Sequence, residues 1–247
     1  ADRTRRHREH GITEDGRESW DPGTPLLHHS LSLITPFFCV PKKVSDMNYE
    51  EFAQDTVRAA MRAGAHEAEV FLQTGGEFGV NVRKGEVETL TQASSKGLGI
   101  RVFVDKRMSF ASTTDFDPDV VSSLVKTTVQ LARSAGRDRH NGLPDVGPGA
   151  PPHLDLYDPS VETLDDDRKI EMARECERAA FEFDPRITNS DGAGTGTHTG
   201  MSLIANSNGV LYSIRGSSCG ISCVPLAEQD GQKQLGHFWS SRRFLSD

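Results

Sequence analysis

Long hydrophobic runs are missing from this sequence, and so are cysteine clusters and any cationic surplus. No stretch approaches the roughly 18 apolar residues needed to cross a bilayer. The longest, Leu31 to Val40, is broken by Ser32, Thr35 and Pro36. It also lacks the small-residue cleavage pattern of a secretory leader, so neither a membrane span nor secretion is expected. Four cysteines (Cys39, Cys176, Cys219 and Cys223) are too few and too scattered for a disulfide framework. A reducing, cytoplasmic compartment fits them. The formal net charge is −8, and residues 1–46 contribute nothing to it, holding seven basic and seven acidic side chains. The whole acidic excess therefore falls on residues 47–247, where phosphate backbones would be repelled. Direct contact with nucleic acid is not expected.

What is present begins in earnest at Met47. Residues 1–46 are rich in Arg and His, lack sustained periodicity, and read as a disordered extension outside the fold. From Tyr49 the apolar residues Phe52, Ala53, Val57, Ala60 and Met61 recur at helical spacing, and Gly64 follows as a stop. Strands are expected next, over Glu67 to Thr74, Phe78 to Val82, Val87 to Thr91, Gly97 to Val104 and Arg107 to Ser112. Gly75-Gly76 and Lys84-Gly85 are read as turns between them. Such short connections imply antiparallel pairing. A second helix is capped by Asp117, carries Pro118 at its first position and ends at Gly136. A Gly/Pro-rich connection precedes a third helix from near Thr163 to the residue before Pro185. Further strands are expected over Ile187 to Ser190, Thr197 to Asn206, Val210 to Arg215, Gly220 to Glu228 and Gln234 to Ser241. The fold class is α+β, antiparallel meanders packed with about three helices, with a rough internal echo of helix and meander.

Several side-chain groups invite a chemical reading, and each has a plainer one. His66-Glu67 opens a zinc-peptidase pattern, but no second histidine follows one helical turn later. His7/His10 and His28/His29 sit in the extension, while His198 and His237 fall on separate expected strands. Gly192, Gly194, Gly196 and Gly200 imitate a phosphate loop. Such a loop leads from a strand into a helix, whereas these lead into Met201-Ser202-Leu203-Ile204, so a hairpin tip is expected. Cys219 and Cys223 lie four apart on one strand face and read as half-buried thiols. Ser94, Ser95, Ser217 and Ser218 lack the Gly-x-Ser-x-Gly elbow of a nucleophile. No catalytic, cofactor-binding or metal-ligating residue is assigned.

In order along the chain stand Ala68-Glu69-Val70-Phe71, Val82-Arg83-Lys84-Gly85-Glu86-Val87-Glu88, Gly97-Leu98-Gly99-Ile100-Arg101-Val102-Phe103 and Phe110-Ala111-Ser112-Thr113. Asp184-Pro185-Arg186-Ile187-Thr188-Asn189-Ser190, Ala205-Asn206-Ser207-Asn208-Gly209 and Arg215-Gly216-Ser217-Ser218 follow. This series resembles the amino-terminal domain of the TldD/PmbA family, also called modulators of DNA gyrase, over about residues 47–247. Glu88-Thr89-Leu90-Thr91-Gln92 is more similar to the PmbA (TldE) branch. The resemblance implies a cytosolic metallopeptidase that processes small, loosely folded peptides. It also implies that zinc is held by a His-Glu-x-x-x-His helix in a TldD-type partner subunit, and no residue here matches that motif. The chain is accordingly expected to be a truncated member, lacking the second domain and not catalytic alone. Its partners are then a TldD-type subunit or a second copy, and a peptide. The alternative is a non-enzymatic interaction protein that modulates DNA gyrase.

Overall fold

The computed structural model describes residues 47–145 and 152–246. The extension 1–46, with Cys39 and the histidines of that segment, lies outside the described residues.

Helix α1 (Tyr49–Arg62) forms where the apolar spacing places it, and the Asn48 side chain accepts the Glu51 N–H at 3.2 Å to cap its start. Helix α2 (Pro118–Ser134) is capped by Asp117, whose Oδ1 accepts from Asp119 N–H at 2.9 Å and Val120 N–H at 3.3 Å, with Pro118 in the first turn. The expected third helix forms, and a short helix that was not expected precedes it at the end of the Gly/Pro-rich connection. A short α3 (Pro159–Thr163) ends at Leu164, and Asp165 then caps a fresh start, accepting from Asp167 N–H at 2.8 Å, for α4 (Asp166–Phe183).

The strands are fewer and far longer than the sequence suggests. β1 spans Glu67–Arg83 without a break, β2 Glu86–Val104, β3 Arg107–Thr113, β4 Ile187–Asn206 and β5 Leu211–Gln229. At about 3.3 Å per residue the four long strands each run close to 60 Å. Gly75-Gly76 is not a turn. Both residues lie inside β1, paired to Ser95 and Ser94 on one side and to Gly200 and Thr199 on the other. The glycines from Gly194 to Gly200 likewise lie within β4, so no hairpin tip forms there; Gly192, at φ +110°, marks an irregularity in the β4–β5 pairing. Real turns occur where φ is positive, at Lys84-Gly85, Asp105-Lys106, Gly209 and Asp230-Gly231. The last expected strand is also divided, into β6 (Gln232–Leu235) and β7 (Phe238–Arg242), with Gly236 and His237 between them.

All the pairings are antiparallel, in the order β3-β2-β1-β4-β5-β6, with β7 alongside β5. The central pair is β1 with β4. Helix α1 leads into β1 and α4 into β4, and each packs over the first half of the strand it precedes. The echo extends to β6, which pairs with β5 across the Asp230-Gly231 turn as β3 pairs with β2 across Asp105-Lys106, but among the described residues α2 has no counterpart after β6, so no repeat is established.

Alternate residues of β1 point to one face, and along that face run Val70 and Leu72, then Phe78, Val80 and Val82. The first two join Ile100, Val102, Leu203 and the apolar sides of α1 and α2 in one core. The last three join Ala173 of α4, Ala193 and Cys223 in a second, smaller core. Each fully buried Val, Leu or Ile contributes about 1.5–3 kcal/mol. The helices thus share one side of the sheet. Between the two cores lies a gap of about 280 Å³, lined by Tyr49, Thr74, Lys96, Met201 and Arg215 among others.

One buried carboxylate ties the second core to a hairpin. Glu177 of α4, 2% exposed, accepts the Lys84 N–H at 2.9 Å and the Gly85 N–H at 2.8 Å. The Ser190 hydroxyl donates to the same carboxylate. Arg174, one helical turn earlier, donates from Nε to the Gly85 carbonyl at 2.9 Å. The family-like phrase Arg83-Lys84-Gly85-Glu86 is therefore a turn held in a polar clamp, which satisfies backbone groups at a left-handed lysine.

Candidate functional site: the open face of the sheet

The face opposite the helices is bare of helix among the described residues, and its composition is unusual. Reading directly across the strands β2, β1, β4 and β5, one row is Ser95, Gly75, Gly200 and Gly216. The next is Ala93, Glu77, His198 and Ser218, and the next Thr91, Gly79, Gly196 and Gly220. Glycine in a strand gives up packing and backbone entropy, so glycines stacked across three strands mark a place where something else approaches the backbone. Part of that something is internal. A Cβ on Gly200 would lie 3.3 Å from His198 Nε2, and one on Gly75 3.4 Å from His198 Cε1, so the imidazole lies over these two residues. Elsewhere the space is empty: a Cβ added at Gly79 or at Gly97 meets nothing within 4 Å.

Toward the α1 end the same face turns apolar. Phe71, Ile204 and Tyr212 stand side by side on β1, β4 and β5. The Phe110 ring of β3 covers Gly99, coming within 3.0 Å of where its Cβ would sit. A cavity of about 650 Å³ opens at mid-sheet, lined by Gly75, His198, Gly200, Gly216 and Ser218 and reaching Arg242. Arg242 and its neighbour Arg243 donate to backbone carbonyls, of Ser241 at 2.9 Å and Leu156 at 3.5 Å.

The residues singled out in the sequence scatter. His66 sits at the α1–β1 junction, where Nδ1 accepts the Asp105 N–H at 3.3 Å, and Glu67 accepts the Leu143 N–H at 3.3 Å; both groups have structural partners. His198 is on the open face and His237 is between β6 and β7. Ser217 is buried, accepting from Asp158 N–H at 2.8 Å and donating to the Arg243 carbonyl at 2.9 Å. Cys219 is half-buried, its thiol directed at the Arg242 and Phe244 carbonyls. Cys223 is buried against α4 beside Cys176, and burial raises both thiols, that of Cys223 to about 11. The Glu77–His198 juxtaposition is invisible along the chain, because 121 residues separate the two and only the β1–β4 register brings them together. Among the described residues no three of His, Cys, Asp and Glu converge. A catalytic zinc takes three protein ligands, so these residues do not fit one.

A seven-stranded sheet with helices on one side thus presents a broad, glycine-rich floor on the other. Comparison with known proteins places it. Residues 68–132 match the model for the PmbA/TldA metallopeptidase domain 1, and residues 159–247 that for the PmbA/TldA metallopeptidase central domain. The chain belongs to the PmbA/TldD metallopeptidase family. It is 32% identical over 182 residues to metalloprotease PmbA of Escherichia coli O157:H7, across 73% of this chain and 40% of that protein. It is 31% identical over 183 residues to the PmbA homolog of Haemophilus influenzae, with the same shares. The chain therefore spans about 40% of the length of these curated relatives. Among solved structures, a protein described as a modulator of DNA gyrase from Bacteroides thetaiotaomicron superimposes with a TM-score of 0.70 at 25% identity. The match covers 80% of this chain and 46% of that one. TldE from Thermococcus kodakarensis shares the fold at a TM-score of 0.68 and 17% identity, over 78% and 43% of the two chains. Among the described residues no helix is long and apolar enough to cross a membrane.

Proposed function

We propose that residues 47–247 form a scaffold portion of a PmbA/TldD-type metallopeptidase subunit and that the open sheet face walls a channel for an extended peptide. Hydrolysis on this reading needs zinc held elsewhere, in a metal-bearing TldD-type partner subunit, and the chain is not catalytic alone. The observation that carries the reading is the set of glycine rows. A peptide main chain lies close to a floor of glycine and serine without selecting particular side chains, which suits an enzyme that acts on varied, loosely folded peptides. Glu77 and His198 at mid-floor can hydrogen-bond peptide amides and carbonyls. Arg242 at the cavity wall supplies a cation for a carboxylate.

Gly79 and Gly97 supply the test, since a side chain added at either meets no protein atom. Gly79→Leu and Gly97→Leu should fold as well as the wild type, because replacing a strand glycine removes an entropic cost of about 0.5–1 kcal/mol. Both should weaken binding of a fluorescein-labelled unstructured peptide at least fivefold by anisotropy. Unchanged affinity in both variants, with unchanged melting, removes the open face from consideration.

A further inference from the structure

On the helix side of the sheet, the gap of about 280 Å³ between the two cores is polar where its surroundings are not. Two rows read across β2, β1, β4 and β5 form its floor. One is Lys96, Thr74, Met201 and Arg215, and the next is Ser94, Gly76, Thr199 and Ser217. These rows alternate with those of the open face, so their side chains point toward the helices. Elsewhere on this side β1 carries Val70, Leu72, Phe78 and Val80, all buried. The groups around the gap are mostly donors. Among the described residues the Thr74, Ser94 and Thr199 hydroxyls have no protein partner. The Lys96 ammonium has no carboxylate there either, and lies 4.8 Å from the Phe116 ring centre at the wall of the first core. On the opposite wall Arg215 is held in place. Its Nη2 donates to the Tyr157 hydroxyl at 2.7 Å and to Glu162 Oε2 at 2.9 Å, which leaves its Nε and Nη1 donors unused. Glu162 is the one carboxylate on the lining among the described residues, and the same Oε2 also accepts from Tyr157. Two cations against one carboxylate leave a local positive surplus in a chain of net charge −8.

We propose that this gap binds a small oxyanion, the phosphate or carboxylate of a metabolite, between Lys96 and Arg215. Unpaired donors around a recess are satisfied by water or by a ligand rich in acceptors. An oxyanion offers acceptors only, which matches a lining of ammonium, guanidinium and hydroxyl groups and gains charge-assisted hydrogen bonds. Three strand spacings, about 14 Å, separate the stems of the two cations, a span that two long side chains leaning inward close around a small anion. Gly76 keeps the floor low. A Cβ there meets only Thr199 Oγ1, at 3.7 Å, so the missing side chain leaves its space to the ligand. The volume falls just short of the roughly 300–1,000 Å³ of drug-sized pockets, which sets the ligand at metabolite size. This site lies on the side of the sheet away from the proposed channel and goes beyond that reading.

Amide NMR of the full chain, titrated with sodium phosphate and with sodium acetate against sodium chloride of equal ionic strength, tests this. Phosphate or acetate should shift the Thr74, Gly76, Ser94 and Thr199 amides saturably, with a dissociation constant on the order of 1 mM, and chloride should not. Tighter saturation by phosphate assigns a phosphoryl ligand; tighter saturation by acetate assigns a carboxylate. Lys96→Met should weaken binding about fivefold or more, and Lys96→Arg should retain it, since the cation is kept. Gly76→Val keeps both cations but fills the recess, and with unchanged melting it should weaken binding by a similar factor. Diffuse attraction to surface charge would survive that substitution. Shifts that match those in chloride, or that do not saturate by about 50 mM phosphate and acetate, overturn the proposal. So does saturable binding that Lys96→Met and Gly76→Val both leave unchanged, which would mean an adventitious ion only.

Discussion

Removing the Glu177 carboxylate should destabilise the protein more than any other single polar change in the second core. In Glu177→Ala the Lys84 and Gly85 N–H groups lose their acceptors, at 2.9 and 2.8 Å, and the Ser190 hydroxyl loses its own. A hydrogen bond to a carboxylate is worth about 1.5–3 kcal/mol net, and a buried donor left unpaired costs about 1–3 kcal/mol. The three share one acceptor group, so they do not add, and about 3–5 kcal/mol is expected in total. Glu177→Gln retains one oxygen but turns an amide N–H₂ toward a donor, and about 1.5–3 kcal/mol is expected. Urea unfolding of the wild type and the two variants gives the free energies. Amide exchange reports whether Lys84 and Gly85 open first, as the clamp requires. A loss below about 1 kcal/mol for Glu177→Ala, with no faster exchange at the turn, would falsify the clamp as a source of stability.

Two further outcomes follow from local electrostatics. The Arg186 side chain, and then its backbone N–H, donate to Asp184 and hold its carboxyl at about 2 instead of 3.8. The folded value is depressed, so the contribution of this group to stability is complete above about pH 4 and is lost as pH falls through 2. Carboxyl-carbon NMR should place the Asp184 midpoint near 2 and show it returning toward 3.8 in Arg186→Ala; an unmoved midpoint contradicts the assignment. Cys223 is raised to about 11, first by burial and then by the neighbouring Cys176 thiol, so it stays protonated at neutral pH. A thiol reagent at pH 7.5 should leave Cys223 unmodified in the folded protein and label it on unfolding. Full labelling within minutes under native conditions counts against its buried position.

The helices were legible because their information is local. Asp117-Pro118 and the apolar spacing of Val121, Val125, Val129 and Ala132 suffice to place α2. The long strands were not legible, for a reason that also hid the site. Gly75, Gly76 and Gly200 read as punctuation along the chain, yet none has a positive φ, and each is extended. Gly75 and Gly200 accommodate the His198 imidazole on the open face, which reaches Gly75 from 123 positions along the chain, whereas Gly76 faces the helices. Glycine at Lys84-Gly85 turns the chain and glycine at Gly75-Gly76 does not, because Glu177 stands ready to accept the first pair's amides while β2 and β4 flank the second. The antiparallel α+β class, by contrast, follows from period-two alternation alone, which the longer strands preserve.

Whether the glycine floor receives peptide is the claim on which the functional account turns. Photocrosslinking of an unstructured peptide carrying a benzophenone side chain, followed by mapping of the adducts by mass spectrometry, tests it most directly. Adducts are expected on the open face, at Gln73, Glu77, Asn81, His198 and Ser202, and should be competed by unlabelled peptide. Adducts confined to the outer surfaces of α2 and α4, with the sheet face unlabelled, would contradict it.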